Sequence, residues 1–204
     1  MIKYGLISSV DASVLERTID LICNEFTDTH INLLEIGCYG GDSATGLCQY
    51  VFSKYRIPVI TGIDNNKDNE PIRFKYDKLI VGNSNEVYNQ IPDDSLHLCF
   101  IDSCHCFSCV ISDFFCYAPK LKKGGYIAFH DTGKHIKPFK DFQHGDKDNP
   151  DAYISVRKAL TKIGLTFEGD GFQLYPHSYH GSWKLIFDEA DESDEAGGMI
   201  VLKR

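Results

Sequence analysis

Apolar positions along the chain switch repeatedly between a helical period and short unbroken runs. Val14, Leu15, Ile19, Ile22 and Phe26 recur at helical spacing, predicting a helix over Val14–Phe26 with Asp11 or Ser13 at its start. Asn32–Gly37 is a brief apolar run stopped by glycine, and reads as a buried strand. The same alternation continues: a helix over Ser43–Tyr55 opened by Asp42 or Ser43, a strand over Pro58–Asp64, and a strand over Lys78–Gly82. A short helix near Asn85–Gln90 and a strand over Leu96–Asp102 come next. From Phe107 to about Leu121, the residues Phe107, Val110, Ile111, Phe114, Phe115 and Ala118 share one helical face. Gly124 and Gly125 end that segment and introduce a fifth strand. A helix near Tyr153–Ile163 and two apolar runs on either side of an acidic loop complete the pattern, the runs suggesting an antiparallel hairpin.

Strands alternating with helices predict an α/β fold: a mainly parallel seven-stranded sheet, its last strand antiparallel, with helices on both faces. Ligands in such sheets bind beyond the carboxyl ends of the strands. Attention therefore falls on Gly37–Ser43, Asp64, Gly82–Ser84, Asp102–Cys106 and His130–Thr132. The segment 132–150 is long, polar and without periodicity, as active-site loops often are. No repeat or linker divides the chain, so residues 1–204 read as one domain with an N-terminal helical segment over 1–30.

Charge sharpens this picture. The formal net charge is −8, and six of the acids lie in one run, Asp188–Glu195, so the remainder is close to neutral. Such a run is most often a solvated loop. No lysine and arginine stripe suggests a nucleic-acid partner. No apolar run approaches the roughly 20 residues that span a bilayer. Eight cysteines without a recognisable leader point to reduced thiols in a cytoplasmic setting. Cys23, Cys38, Cys48, Cys99 and Cys116 fall within apolar patterns, where a thiol acts as a small hydrophobe.

The run LEIGCYGGDS, Leu34–Ser43, joins a strand end to a helix start through glycines, a device for close approach of a nucleotide-containing cofactor. The dinucleotide pattern fails here, because Tyr39 and Asp42 occupy the second and third glycine places. Glu35 and Asp42 would also oppose a pyrophosphate. A cofactor with positive charge and no phosphate, such as S-adenosylmethionine with its sulfonium and ammonium, suits these acids better. Asp64 can accept ribose hydroxyls, and Asn83 and Ser84 stand where an adenine would be reached.

The order LLEIGCYGGDS, VITGID, IVGNS, LHLCFIDSCH and LKKGGYIAFHDT resembles the Rossmann-like, class I S-adenosylmethionine-dependent methyltransferases. It is most similar to the small-molecule group called methyltransferase domain 24, relatives of catechol, caffeoyl-CoA and macrocin O-methyltransferases. The resemblance runs from about Leu15 to Leu160. It implies a cofactor site of Glu35, Gly37, Tyr39, Gly41, Ser43, Asp64, Asn83, Ser84 and Asp102. It also implies a divalent cation (magnesium, manganese or zinc) at Asp102, His130 and Asp131, and His105 as the base beside Asp102. His130 replaces an oxygen ligand and Cys104 stands where many relatives carry another aspartate. Those departures leave a second possibility, that His130 and Asp131 only shape the pocket. The implied partner is a small-molecule acceptor, with a homodimer left open. A nicotinamide-dependent oxidoreductase, a zinc or thiol module on the same fold, and a methyltransferase fold that binds cofactor without catalysis are the rival readings.

The run IDSCHCFSC, Ile101–Cys109, holds three thiols and a histidine. A structural zinc site needs two spaced pairs, and no second pair is evident; crowding is expected to keep Cys104, His105, Cys106 and Cys109 from converging. Asp102 and His105 are the expected functional residues, with the thiols incidental. His97 reads as a packed or hydrogen-bonded histidine, Asp113 as structural, and Trp183 as packed rather than lining a pocket. His135 and His144 are loop residues within reach of a substrate by sequence position.

Overall fold

A computed structural model describes residues 2–133, 156–163, 183–190 and 197–204. Its seven-stranded sheet has the order β3-β2-β1-β4-β5-β7-β6. The strands are β1 His30–Ile36, β2 Ile57–Asp64, β3 Lys78–Val81, β4 Leu96–Ile101, β5 Leu121–Phe129, β6 Lys184–Glu189 and β7 Met199–Lys203. Strands β1 to β5 pair in parallel, and β7 runs antiparallel to both β5 and β6. The predicted sheet and its reversed last strand are thus present. β5 differs from expectation by starting at Leu121, ahead of the two glycines.

Alternation along the strands divides the core. Leu34, Ile36, Cys99, Ile101, Ile127, Phe129, Ile200 and Leu202 face one side. Ile31, Leu33, Leu98, Phe100, Tyr126, Ala128, Met199 and Val201 face the other. Side chains one residue apart on a strand point to opposite faces, so a sheet covered on both sides needs apolar residues at every position. β4 meets that demand with all six residues buried. Helices α1 (Ser9–Glu25) and α2 (Asp42–Ser53) cover the second face, while α4 (Phe107–Tyr117) and α5 (Val156–Lys162) cover the first. The short α3 (Ser84–Val87) follows β3.

Helix α1 begins earlier than Asp11 or Ser13 would have it. Ser8 is the cap: its Oγ accepts from the Asp11 N–H at 3.1 Å and donates to Asp11 Oδ2 at 2.8 Å. This reciprocal pair satisfies a terminal amide, and it holds Asp11 buried beneath the site. Helix α2 is entered through Gly41 at φ 67 with no side-chain cap, in place of Asp42 or Ser43. His97 is packed as expected. It is fully buried, accepts the Asn32 N–H at Nδ1 (2.9 Å) and lies 4.8 Å from the Phe26 ring, edge on. Trp183 is likewise a core residue, against Phe114. The expectations for His135, His144 and most of the loop 132–150 lie outside the described residues. No described helix is long and apolar enough to cross a membrane.

Candidate active site

The carboxyl ends of β1, β2, β3 and β4 open onto a cleft of about 720 Å³. Its floor is the turn after β1. Gly37 takes φ +87, and a Cβ there would lie 2.0 Å from the Asp102 carbonyl oxygen. Only glycine lets the β1 turn lie against the end of β4 this closely. The Gly37 N–H donates to Ile63 O and the Asp102 N–H to Ile36 O, both at 2.9 Å, which locks three strand ends together.

Glu35 supports this turn from below. It is fully buried and does not border the cleft. One carboxylate oxygen accepts from Ser43 Oγ, and the other from the Tyr76 hydroxyl at 2.5 Å. Burial pushes the Glu35 carboxyl up to about 7, against the pull of the Ser43 and Tyr76 hydrogen bonds. Burial and the neighbouring Glu35 raise the Tyr76 phenol, so it remains a donor. On the far side of the turn, Lys75 Nζ donates to Gly40 O and pairs with Asp42, each at 2.7 Å. Tyr76 and Lys75 close a 3-10 segment over Lys67–Lys75 that carries no periodic signal in the sequence.

Asp64 sits at the tip of β2. Its Oδ2 accepts the Cys38 N–H at 2.8 Å and the Tyr39 N–H at 3.2 Å, and its Oδ1 accepts the Asn66 N–H at 2.8 Å. The carboxylate is oriented, and Oδ1 keeps a lone pair for a further donor. Tyr39 is largely exposed at φ 38. Asn83 and Ser84 line the cleft beyond β3. Ser84 donates to Asp113 Oδ1 at 2.5 Å and Ser103 to Asp113 Oδ2 at 3.0 Å. Burial raises Asp113 to about 6 despite those two donors. Its structural role was expected; its place at the wall of the cleft was not.

The β4–β5 end carries the titratable groups. His105 Nε2 lies 2.9 Å from Asp131 Oδ2 and 3.3 Å from Asp102 Oδ1. Asp131 adopts a positive φ of 54 just after β5, which turns its carboxylate toward β4. His130 stands behind this pair. Its Nε2 is 3.2 Å from Asp11 Oδ2, and its Nδ1 is 3.3 Å from Asp102 and 3.5 Å from Asp131. Burial opposes a charge on His130, but the carboxylates of Asp102, Asp11 and Asp131 around it outweigh this and raise its pKa well above that of a free imidazole. Burial likewise opposes charge on Asp102, yet bonds from His105 and His130 hold it at about 2. Asp131 is lowered in the same way.

The three atoms close enough to share a cation come from Asp102, His105 and Asp131, within 4.8 Å of one another. Of the expected set of Asp102, His130 and Asp131, His130 keeps Nδ1 beside both carboxylates while its Nε2 faces Asp11, a residue distant in sequence.

The four crowded residues do not all converge, but the three thiols do meet. Cys104, Cys106 and Cys109 bring their sulfurs within 4.8 Å of one another, with Cys104 and Cys106 at 3.3 Å. Hydrogen bonds from Cys104 and Cys109 hold the Cys106 thiol below the usual thiol range. All eight cysteines are unbridged.

Sequence reasoning passed over the N-terminal wall, Tyr4–Ile7, together with Tyr76, Ser103 and Asp11. Asp11 is the one with a local trace, the serine-to-aspartate spacing of a helix start.

The cleft is lined by Asp42, Asp64, Glu86, Asp102 and Asp113 and, among the described residues, by no lysine or arginine. Such a lining repels a pyrophosphate and favours a ligand with cationic groups. The glycine turn leaves room for close backbone approach, so the residues present fit S-adenosylmethionine.

Residues 34–132 match the family described as a methyltransferase domain. No curated protein sequence matches the chain. Several solved structures share its fold. Cofactor-bound Rv0187 from MTB is 14% identical with a TM-score of 0.62, covering 99% of this chain and 83% of that one. The O-methyltransferase TomG from Streptomyces achromogenes, in complex with SAM, is 14% identical at a TM-score of 0.59, covering 96% and 81%. The MycE methyltransferase of the mycinamycin biosynthetic pathway, in complex with Mg and SAH, is 15% identical at 0.55, covering 97% and 50%. Strand order, acidic cleft and matched segment agree: residues 34–132 match a methyltransferase domain, set in a fold that the chain shares with solved methyltransferases.

Proposed function

We propose that the chain methylates an oxygen of a small-molecule acceptor, with His105 as the base. The observation that carries this reading is the place of His105, between Asp102 and Asp131 at the wall of a cleft lined with carboxylates. The O-methyltransferase TomG, which shares the fold, lends support. When bound, the cofactor supplies the methyl group on its sulfonium.

The chain's own residues do the rest. Gly37, Tyr39, Gly41 and Ser43 frame the methionine side, and Glu35 holds their turn in place. Asp64 would accept a ribose hydroxyl at Oδ1, and Asn83 and Ser84 would meet the adenine. With both carboxylates at Nε2, neutral His105 carries its proton there and leaves Nδ1 as the basic nitrogen. Taking the acceptor's hydroxyl proton makes an imidazolium, which two ionised carboxylates stabilise. His130, anchored on Asp11, keeps those carboxylates oriented.

A second reading rests on the convergence of Asp102, His105 and Asp131 within 4.8 Å. These three would hold a divalent cation that lowers the acceptor hydroxyl's pKa. MycE is in complex with Mg, whereas an imidazole ligand suits zinc or manganese better than magnesium.

Calorimetry with S-adenosylmethionine, followed by methyl transfer to a panel of phenols and sugars, tests the proposal. Heat with a nicotinamide dinucleotide and none with S-adenosylmethionine would overturn it. Dialysis against a chelator separates the two readings. Full activity afterwards leaves His105 as a base without a metal, and lost activity restored by one cation selects the second reading.

A further inference from the structure

We propose that Cys104, Cys106 and Cys109 form a second site, distinct from the His105 carboxylate cluster, that binds a thiophilic divalent cation of the zinc class through three thiolates. Its fourth position opens to the cleft.

The spacing supports the ligand set. A tetrahedral zinc thiolate site, with bonds of about 2.3 Å, places its sulfurs roughly 3.8 Å apart. The three sulfurs here lie within 4.8 Å of one another, and one pair is at 3.3 Å, so the expected separation falls inside the observed range. The expected crowding is relieved because His105 turns its Nε2 away, onto Asp102 and Asp131, and leaves the sulfurs to meet.

A second, independent feature favours anionic sulfur at this point. Cys106 is the N-cap of α4, an 11-residue helix whose cap makes no side-chain hydrogen bond. The unpaired amides of a first helical turn stabilise negative charge, and thiolates gain from them. Cys106 is 1% exposed, whereas Cys104 and Cys109 border the cleft. A cation held by the three would be anchored on its buried side and reachable on the other. Three protein ligands with an open fourth position is the arrangement of a reactive zinc site rather than a purely structural one. Soft sulfur ligands also separate this site from the nitrogen and oxygen donors of Asp102, His105 and Asp131.

Cobalt(II) distinguishes the two sites, because only thiolate ligation gives an intense sulfur-to-metal charge-transfer absorption. The reduced full-length chain, stripped with a chelator, should develop that band with one equivalent of cobalt and lose it when zinc is added. The band should persist in the Asp102→Asn, Asp131→Asn double variant. Cys104→Ser and Cys109→Ser alter partly exposed side chains, and circular dichroism checks their folding. Each should weaken binding by more than about 100-fold, the upper end of what outer-shell changes cost. Cobalt binding without the charge-transfer band would overturn the proposal, as would a band unchanged by both serine substitutions or one lost in the aspartate variant.

Discussion

At the β1–β2 end of the cleft, the polar groups are engaged with one another. Asp64 accepts backbone amides, Glu35 accepts two hydroxyls, and Lys75 closes on Gly40 and Asp42. At the β4–β5 end, two histidines and three carboxylates lie within ion-pair distance, beside three thiols. The first end is preorganised by backbone geometry and suits a ligand that must be held in one pose. The second consists of groups that gain and lose protons or bind cations. On the proposed function, binding and chemistry are divided along the sheet, and each half should fail differently when altered.

The largest effect is expected at the junction of the two halves. Gly37→Ala places a methyl group against the Asp102 carbonyl at a positive φ. It should cost more than about 4 kcal/mol in urea unfolding, the range of severe backbone and packing clashes. Gly40→Ala is the control. Its added Cβ meets nothing nearer than 3.9 Å, and a change within about 0.5 kcal/mol is expected. Equal losses for both would mean that the turn does not depend on contact with β4.

His105→Ala tests the chemical half alone. Turnover should fall by about 10²–10⁴-fold, the worth of a positioned base. Calorimetry should find S-adenosylmethionine affinity unchanged; a parallel loss of affinity would merge the two halves.

Glu35 gives the binding half a pH signature. Its carboxyl is raised from 4.5 to about 7 in the folded chain. The folded state therefore holds a proton that the unfolded state releases first. The stability this provides is complete below about 4.5 and is lost as pH rises toward about 7, by at most roughly 3 kcal/mol. Glu35→Gln should flatten the wild-type decline across that window in denaturation curves taken at successive pH values. An unchanged slope would assign the titration to another group.

Asp64→Asn should give the smallest loss, in cofactor affinity alone. About 1–3 kcal/mol is expected, or roughly 5- to 150-fold in Kd, because one charged acceptor is removed. A fall in turnover at saturating cofactor would contradict the division of labour.

Much of the binding half was legible in the sequence because it is local. The strand, turn and helix of Leu34–Ser43 and the tip residue Asp64 are each read within a few positions. The chemical half was read less well. Asp102, His105, His130 and Asp131 were all singled out, but their pairing depends on Asp11, over a hundred residues away and brought close by the Ser8 cap. Nothing in the sequence links Asp11 with His130, so the pairing of His130 Nε2 with Asp11 could not be foreseen. Tyr76 escaped notice for a similar reason, since it emerges from a 3-10 segment without periodicity. The thiols were judged by spacing alone, and spacing does not report that His105 turns away.

β7 lies between β5 and β6 although it follows both in the chain. During synthesis, β6 has no neighbour in the sheet until residues Met199–Lys203 leave the ribosome. Until then the β5 edge, with its apolar Ile127 and Phe129, stands unpaired, and an open apolar edge invites pairing with other chains. The nascent protein thus keeps that edge open until β7 is made, and any pause before those five residues prolongs the exposure.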